Sequence, residues 1–180
     1  MNMDLTGQVA LVTGASRGIG AAVAQGLAAC GATVVGTATS DAGATKITEA
    51  IQGGGFSGRG LVLDVTEGSQ IESVVADVAA QEGTPDILVN NAGITRDGLA
   101  MRMTDDDWDA VVNTNLSATF RMTRGVLRGM MKARRGRIIN IGSVVGLMGN
   151  AGQANYAAAK AGLLGMTRSL AREVGSRNIT

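Results

Sequence analysis

Short apolar runs alternate along this chain with stretches whose apolar residues return every three or four positions. The runs are Val9-Ala10-Leu11-Val12, Ala32 to Thr37, Leu61-Val62-Leu63-Asp64-Val65, Asp86 to Val89 and Ile138-Ile139-Asn140-Ile141. Runs of this length suit strands buried on both faces of a parallel sheet. Between the first two, Ile19, Val23 and Leu27 repeat at helical spacing, and Gly31 is placed to end that helix. Ile47 and Ile51 predict a second helix before the flexible Gly53-Gly54-Gly55 loop, and Ile71, Val74, Val75 and Val78 predict a third. Pro85 then precedes the fourth strand. Thr104-Asp105-Asp106-Asp107 reads as a helix start, with a capping hydroxyl and acids facing the positive end of the dipole. The helix that follows carries Trp108, Val111, Val112, Leu116, Phe120, Val126, Leu127 and Met130 on one broad stripe, interrupted by Asn115.

Composition narrows the field. The chain has 180 residues, 45% of them hydrophobic, enough to bury a core as one domain over residues 1–180. Twenty-seven glycines against one proline indicate tight turns and close backbone approaches rather than a linker. A net charge of +1 with 2% aromatics suggests neither a nucleic-acid surface nor a platform for stacking bases. Met1 to Gly7 shows no basic-then-apolar pattern and no run reaches spanning length, which predicts a cytoplasmic protein without a membrane partner. Cys30, alone in an Ala-rich stretch, is expected in the core. There is no histidine, so no Ser/His/Asp triad, and no metal site is expected.

Two stretches carry chemistry. The first apolar run leads into Thr13-Gly14-Ala15-Ser16-Arg17-Gly18-Ile19-Gly20 and then a helix. Strand, Gly-rich turn and helix aim backbone N–H groups and the helix dipole at a pyrophosphate, and the second strand completes a βαβ unit. The second stretch ends in Asn155-Tyr156-Ala157-Ala158-Ala159-Lys160 and holds the only tyrosine. The alanines favour helix, so Tyr156 and Lys160, four apart, share one face. An ammonium about 4 Å away, in an effective dielectric of about 20, favours a phenolate by about 4 kcal/mol, which suits the phenol to exchange a proton.

Where the second strand ends, an acid accepts from a ribose 2′-hydroxyl but repels a 2′-phosphate. Here the end reads Thr37-Ala38-Thr39-Ser40, with no acid before Asp41, while Arg17 in the turn is ready to pair with phosphate. That predicts NADP(H); the alternative has Asp41 folding back on the ribose and Arg17 as a solvated charge.

The glycine spacing Gly14-x-x-x-Gly18-x-Gly20 departs from G-x-G-x-x-G and resembles the cofactor turn of the short-chain dehydrogenase/reductase family. Asn90-Asn91-Ala92-Gly93 and Asn113-Thr114-Asn115-Leu116 match motifs of the same family, as do Ser143 and Tyr156-x-x-x-Lys160. The resemblance spans essentially the whole chain. It is strongest, over Asn90 to Arg102 and Ile139 to Gly162, to the family's bacterial members that reduce 3-oxoacyl groups on acyl carrier protein.

The resemblance implies an α/β fold, a Rossmann-type doubly wound parallel sheet with helices on both faces and the cofactor across the carboxyl ends of the strands. It implies Asn115, Ser143, Tyr156 and Lys160 as catalytic residues. Cofactor residues would be Gly14, Ala15, Ser16, Arg17, Gly18, Ile19, Gly20, Thr39, Asp64, Val65 and Asn91, with Tyr156 and Lys160. Asp64 either lines the adenine or caps a turn. Asn115 either braces backbone or organises water on a proton path from the lysine. The reaction implied is NADPH-dependent reduction of 3-oxoacyl-[acyl-carrier-protein] in fatty acid biosynthesis. The motifs alone leave open a reductase of acyl-CoA ketones or other small carbonyls, or a non-catalytic nucleotide-binding module. Family members are commonly homotetramers built on long helices, here around residues 104 to 132 and 154 to 175. The cations Lys132, Arg134, Arg135 and Arg137, together with Arg177, either serve a helix end or dock the acidic carrier protein. Arg177-Asn178-Ile179-Thr180 reads as the approach to a sixth strand. The family's last strands, Pro-Gly loop and substrate lid have no counterpart here, so the chain is expected to be incomplete at its C-terminus and poorly soluble or inactive alone.

Overall fold

A computed structural model describes residues 4–180. Residues 1–3 of the Met1 to Gly7 segment lie outside the described residues. Five strands, β1 (Val9–Val12), β2 (Thr33–Ala38), β3 (Gly58–Val62), β4 (Ile87–Asn90) and β5 (Arg137–Asn140), form one parallel sheet in the order β3-β2-β1-β4-β5. Helices α1 (Gly18–Ala29), α2 (Asp41–Gly53), α3 (Gly68–Gln81), α4 (Asp105–Val112) and α5 (Ala118–Ala133) precede β5, and α6 (Val145–Met148) and α7 (Ala154–Val174) follow it. Successive strand residues point to opposite faces, and the core divides accordingly. Leu11, Val35 and Leu88 pack with Ile71, Val78, Met122, Val126 and Met130 of α3 and α5. Ala10, Val12, Val34 and Val89 pack with Ala24, Ala28, Ile47 and Ile51 of α1 and α2. This is the expected doubly wound architecture, with the strand order reversing between β1 and β4.

Four expectations are corrected. In α1 the fully buried positions are Gly20, Ala24 and Ala28, whereas Val23 and Leu27 are half-buried and Ile19 is 62% exposed. Small residues win because the helix lies close on the sheet: a Cβ on Gly20 would collide with the Gly14 carbonyl oxygen and Asn91 Nδ2. The third strand is Gly58–Val62 rather than Leu61 to Val65. Its glycines carry no hydrophobic signal, yet a Cβ on Gly60 would strike the Ala44 carbonyl oxygen, so glycine is what lets α2 pack against this strand. The long helix is interrupted by a π-turn at Asn113–Ser117. Asn115 Nδ2 donates to the Val111 carbonyl at 2.9 Å, the group its own backbone N–H would use in a regular α-helix. The extra residue rotates the buried face to Val111, Asn115, Ala118, Met122, Val126 and Met130, leaving Trp108 and Phe120 about two-fifths exposed, at 40% and 42%. Finally, α6 and a 3₁₀ turn at Ala100–Arg102 occupy segments in which no element was expected.

Thr104 caps α4 as expected, its hydroxyl accepting from Asp107 N at 3.1 Å. Ile179 is buried, and Thr180 N donates to the Gly136 carbonyl at 3.1 Å while Ile138 N donates to the Thr180 carbonyl at 2.8 Å. The last residues thus pair in parallel with β5. Among the described residues no helix is long and apolar enough to cross a membrane.

Candidate active site

A cleft of about 620 Å³ opens at the carboxyl ends of β1, β2 and β4, where the strand order reverses. Gly14, Ser16, Arg17, Gly18 and Ile19 form one wall, Thr37 to Thr39 a second, Leu63 to Thr66 a third, and Asn91 to Ile94 with Thr114 a fourth. A second cavity of about 690 Å³, between Leu5 to Gln8 and Arg135 to Ile139 at the amino ends of the strands, contains none of the expected site residues.

The Gly-rich turn is shaped for a ligand. Gly14 and Gly18 have φ of +65° and +56°, where a side chain is strained, and a Cβ on Gly18 would meet nothing within 4 Å. Arg17 is the N-cap residue of α1, in extended backbone, with no side-chain cap and no acid in the first helical turn. The leading N–H groups of α1 are therefore left to face the cleft. Of the expected cofactor residues, Gly14, Ser16, Arg17, Gly18, Ile19, Thr39, Asp64, Val65 and Asn91 line this cleft. Ala15 is buried beneath the turn, its N–H donating to the Thr37 carbonyl at 2.8 Å, and Gly20 serves packing. Asp64 does cap a turn, Oδ1 accepting from Thr66 N at 2.9 Å and Thr66 Oγ1 at 2.7 Å, while also lining the cleft. Asn91 spends its amide on the Thr13 and Gly14 carbonyls, both at 3.0 Å. Asp41 is the first residue of α2 and does not line the cleft.

Asn115, Ser143, Tyr156 and Lys160 lie outside that lining. Asn115 Nδ2 donates to the Ile94 carbonyl at 2.8 Å as well as to Val111, while its buried Oδ1 has no hydrogen-bond partner among the described residues. Ser143 follows β5, and its Oγ accepts from Val145 N at 3.2 Å. Tyr156 and Lys160 share a face of α7, with Nζ 5.7 Å from the ring centroid. Lys160 is buried and donates to the Ile141 carbonyl at 2.7 Å, two residues before Ser143. Burial pushes its pKa below the ordinary lysine value. Close packing keeps these parts in register: a Cβ on Gly146 of α6 would sit against the backbone of Lys160 and Ala161, and one on Gly162 against Leu116 of the π-turn.

Behind the site runs a polar scaffold that periodicity did not reveal. Thr13 Oγ1 accepts from Asn91 N and Ala92 N at 3.0 Å each, tying the turn to the end of β4. Asn90 Nδ2 donates to Asn140 Oδ1 at 2.8 Å and to Thr123 Oγ1 at 3.2 Å, and Asn140 Nδ2 donates to Thr167 Oγ1 at 2.9 Å. These bonds link β4, β5, α5 and α7. The only available signal was the run of amides and hydroxyls at strand ends.

The family description "short chain dehydrogenase" matches residues 8–180. A 3-oxoacyl-[acyl-carrier-protein] reductase FabG of Salmonella typhimurium is 61% identical over 178 residues, which is 99% of this chain and 72% of the relative. The proteins of that name from Escherichia coli and Pseudomonas aeruginosa are 61% and 62% identical, with the same coverage. Because the match begins at the strand before the Gly-rich turn and extends past the tyrosine and lysine to Thr180, the chain belongs to the short-chain dehydrogenase family.

Proposed function

We propose that this protein reduces 3-oxoacyl groups carried on acyl carrier protein to 3-hydroxyacyl groups, using NADPH. The observation that carries the reading is the buried Lys160 beneath the chain's single tyrosine, beside the strand end that leads to Ser143. The residues present fit a phosphorylated dinucleotide. The uncapped N-terminus of α1 suits a pyrophosphate, and Arg17 and Thr39 face the cleft whereas Asp41 does not, which favours a 2′-phosphate over a bare ribose.

The bound nicotinamide supplies the hydride. Tyr156 gives its phenolic proton to the oxygen of the forming alkoxide. Ser143 donates a hydrogen bond to the same oxygen, and the Val145 N–H that its Oγ accepts orients the hydroxyl. Lys160, held on the Ile141 carbonyl, favours the phenolate left behind and would hold the nicotinamide ribose. Asn115 supports the proton path that refills the tyrosine; its unpaired, buried Oδ1 is an acceptor for that role. Trp108, Phe120 and Met131, exposed on α4 and α5, support self-association into a homo-oligomer, with a tetramer as the family's common form.

Tyr156→Phe keeps the ring and removes the proton. Turnover of a 3-oxoacyl thioester should fall by about 10²-fold or more, with NADPH affinity within a few fold of native. Near-native turnover by the variant would remove Tyr156 from the reaction. Arg17→Ala should weaken NADPH binding much more than NADH binding, since only the former carries the phosphate that a guanidinium chelates. Equal losses measured by titration would end the NADP assignment.

A further inference from the structure

Asn155 precedes Tyr156 and is completely buried, yet nothing in the reaction just described uses it. Its amide is fully engaged. Nδ2 donates to the Arg96 carbonyl at 3.0 Å and to the Asp107 carbonyl at 3.2 Å, while Oδ1 accepts from Tyr156 N at 2.7 Å. One side chain therefore joins the first turns of α7 and α4 and the loop after β4. Three more bonds extend the seam. Gln153 Nε2 donates to both Asp97 carboxylate oxygens at 3.0 and 3.1 Å, and Gly98 N donates to the Gly152 carbonyl at 2.8 Å. Residues 96, 97 and 98 thus meet 155, 153 and 152 in turn, two loops laced side by side in opposite directions.

The loop after β4 contributes Gly93 and Ile94 to the cleft, and continues through exposed Leu99 and Met101. The segment after β5 carries Ser143 and α6 and leads into α7, whose first turn holds Tyr156. Loops at the carboxyl ends of neighbouring strands flank the site in this fold, so a ligand seated on the first loop presses on the second through the lacing. We infer that Asn155, with Asp97 and Gln153, is a positioning residue through which the 94–98 loop sets the place of Tyr156. The inference rests on Tyr156 being the proton donor. A buried amide could serve packing alone, but one of its bonds holds the backbone N–H of Tyr156 itself, and misplacing a reacting group by about 1 Å can cost about 10²-fold in rate.

The single tyrosine gives a readout independent of turnover. In protein carrying 3-fluorotyrosine, the fluorine resonance reports Tyr156 alone. Asn155→Ala should shift and broaden that resonance and lower kcat for a small 3-oxoacyl thioester at least tenfold, with KM changed less than threefold. Asp86→Asn, which weakens the Asp86 bonds to Val9 N and Arg135 at the other end of the sheet, serves as a control for general loosening. It should lower the melting temperature while leaving the resonance in place and kcat within twofold. A native resonance in Asn155→Ala, or an equal shift in Asp86→Asn, overturns the inference. Should Asn155→Ala fail to fold, Gln153→Ala decides it, since an unshifted resonance there has the same meaning. If the native protein fails to reduce the thioester, the reductase reading falls while the fluorine comparison still tests the lacing.

Discussion

Lys160 combines burial with charge, and that combination has a pH signature. Its folded pKa lies below the ordinary value of 10.5 because burial disfavours the ammonium. Below the folded pKa both folded and unfolded chains carry the charge, and the burial cost is present in full. As pH rises from the folded pKa toward 10.5, the unfolded chain binds more protons than the folded one, so the cost is progressively relieved. Native protein should therefore gain stability relative to Lys160→Met as pH is raised through that window. Urea unfolding of both proteins at several pH values between 7 and 10.5 measures the difference; a flat or falling difference would contradict it. At this scale, Tyr156 and Lys160 were legible because four residues of helix bring them together whatever the rest of the chain does. Asn155 and Thr13 were not. Apart from the neighbouring Tyr156 N, their partners stand 48 to 79 residues away, and nothing in local pattern pairs Asn155 with Asp107 or Thr13 with Ala92.

Elements were legible where hydrophobicity and geometry agree. β1, β2 and β4 fell within a residue of expectation, since their side chains are buried on both faces. Where close approach matters more than apolar area, the pattern misleads. Glycine at 58 and 60 begins a strand, alanine and glycine form the inner face of α1, and Leu63 and Val65 fill the core from beyond the strand end. The π-turn is a different case. A stripe drawn with a 3.6-residue period through Asn115 loses register there, because one side-chain amide takes a backbone acceptor. Trp108 and Phe120 were accordingly placed inside and are found outside. α6 is a single turn and too short to show periodicity at all.

Over the whole molecule, the cleft over the Gly-rich turn and the cationic cluster occupy opposite ends of the sheet. Arg134, in left-handed backbone at φ 54°, donates to the Ser176 carbonyl beside Arg177, and Arg135 pairs with Asp86 at 2.6 Å yet stays 65% exposed. β5 is four residues long, so these cations stand about 13 Å below the strand ends where the cleft opens. If they receive the proposed acidic carrier, kcat/KM on carrier-bound substrate should fall with ionic strength more steeply than on a small thioester. Parallel salt curves would contradict that docking. The strand order has a further consequence, for how the chain is made. β1 is hydrogen-bonded on one side to β2, about 20 residues later in sequence, and on the other to β4, whose Val89 pairs with Val12. At a synthesis rate of about 5–20 residues per second, β2 follows β1 within roughly 1–4 s, but β4 follows only after roughly 4–15 s. For that interval β1, which is paired on both sides in the structure, is an outermost strand, with an apolar edge and no hairpin to close it.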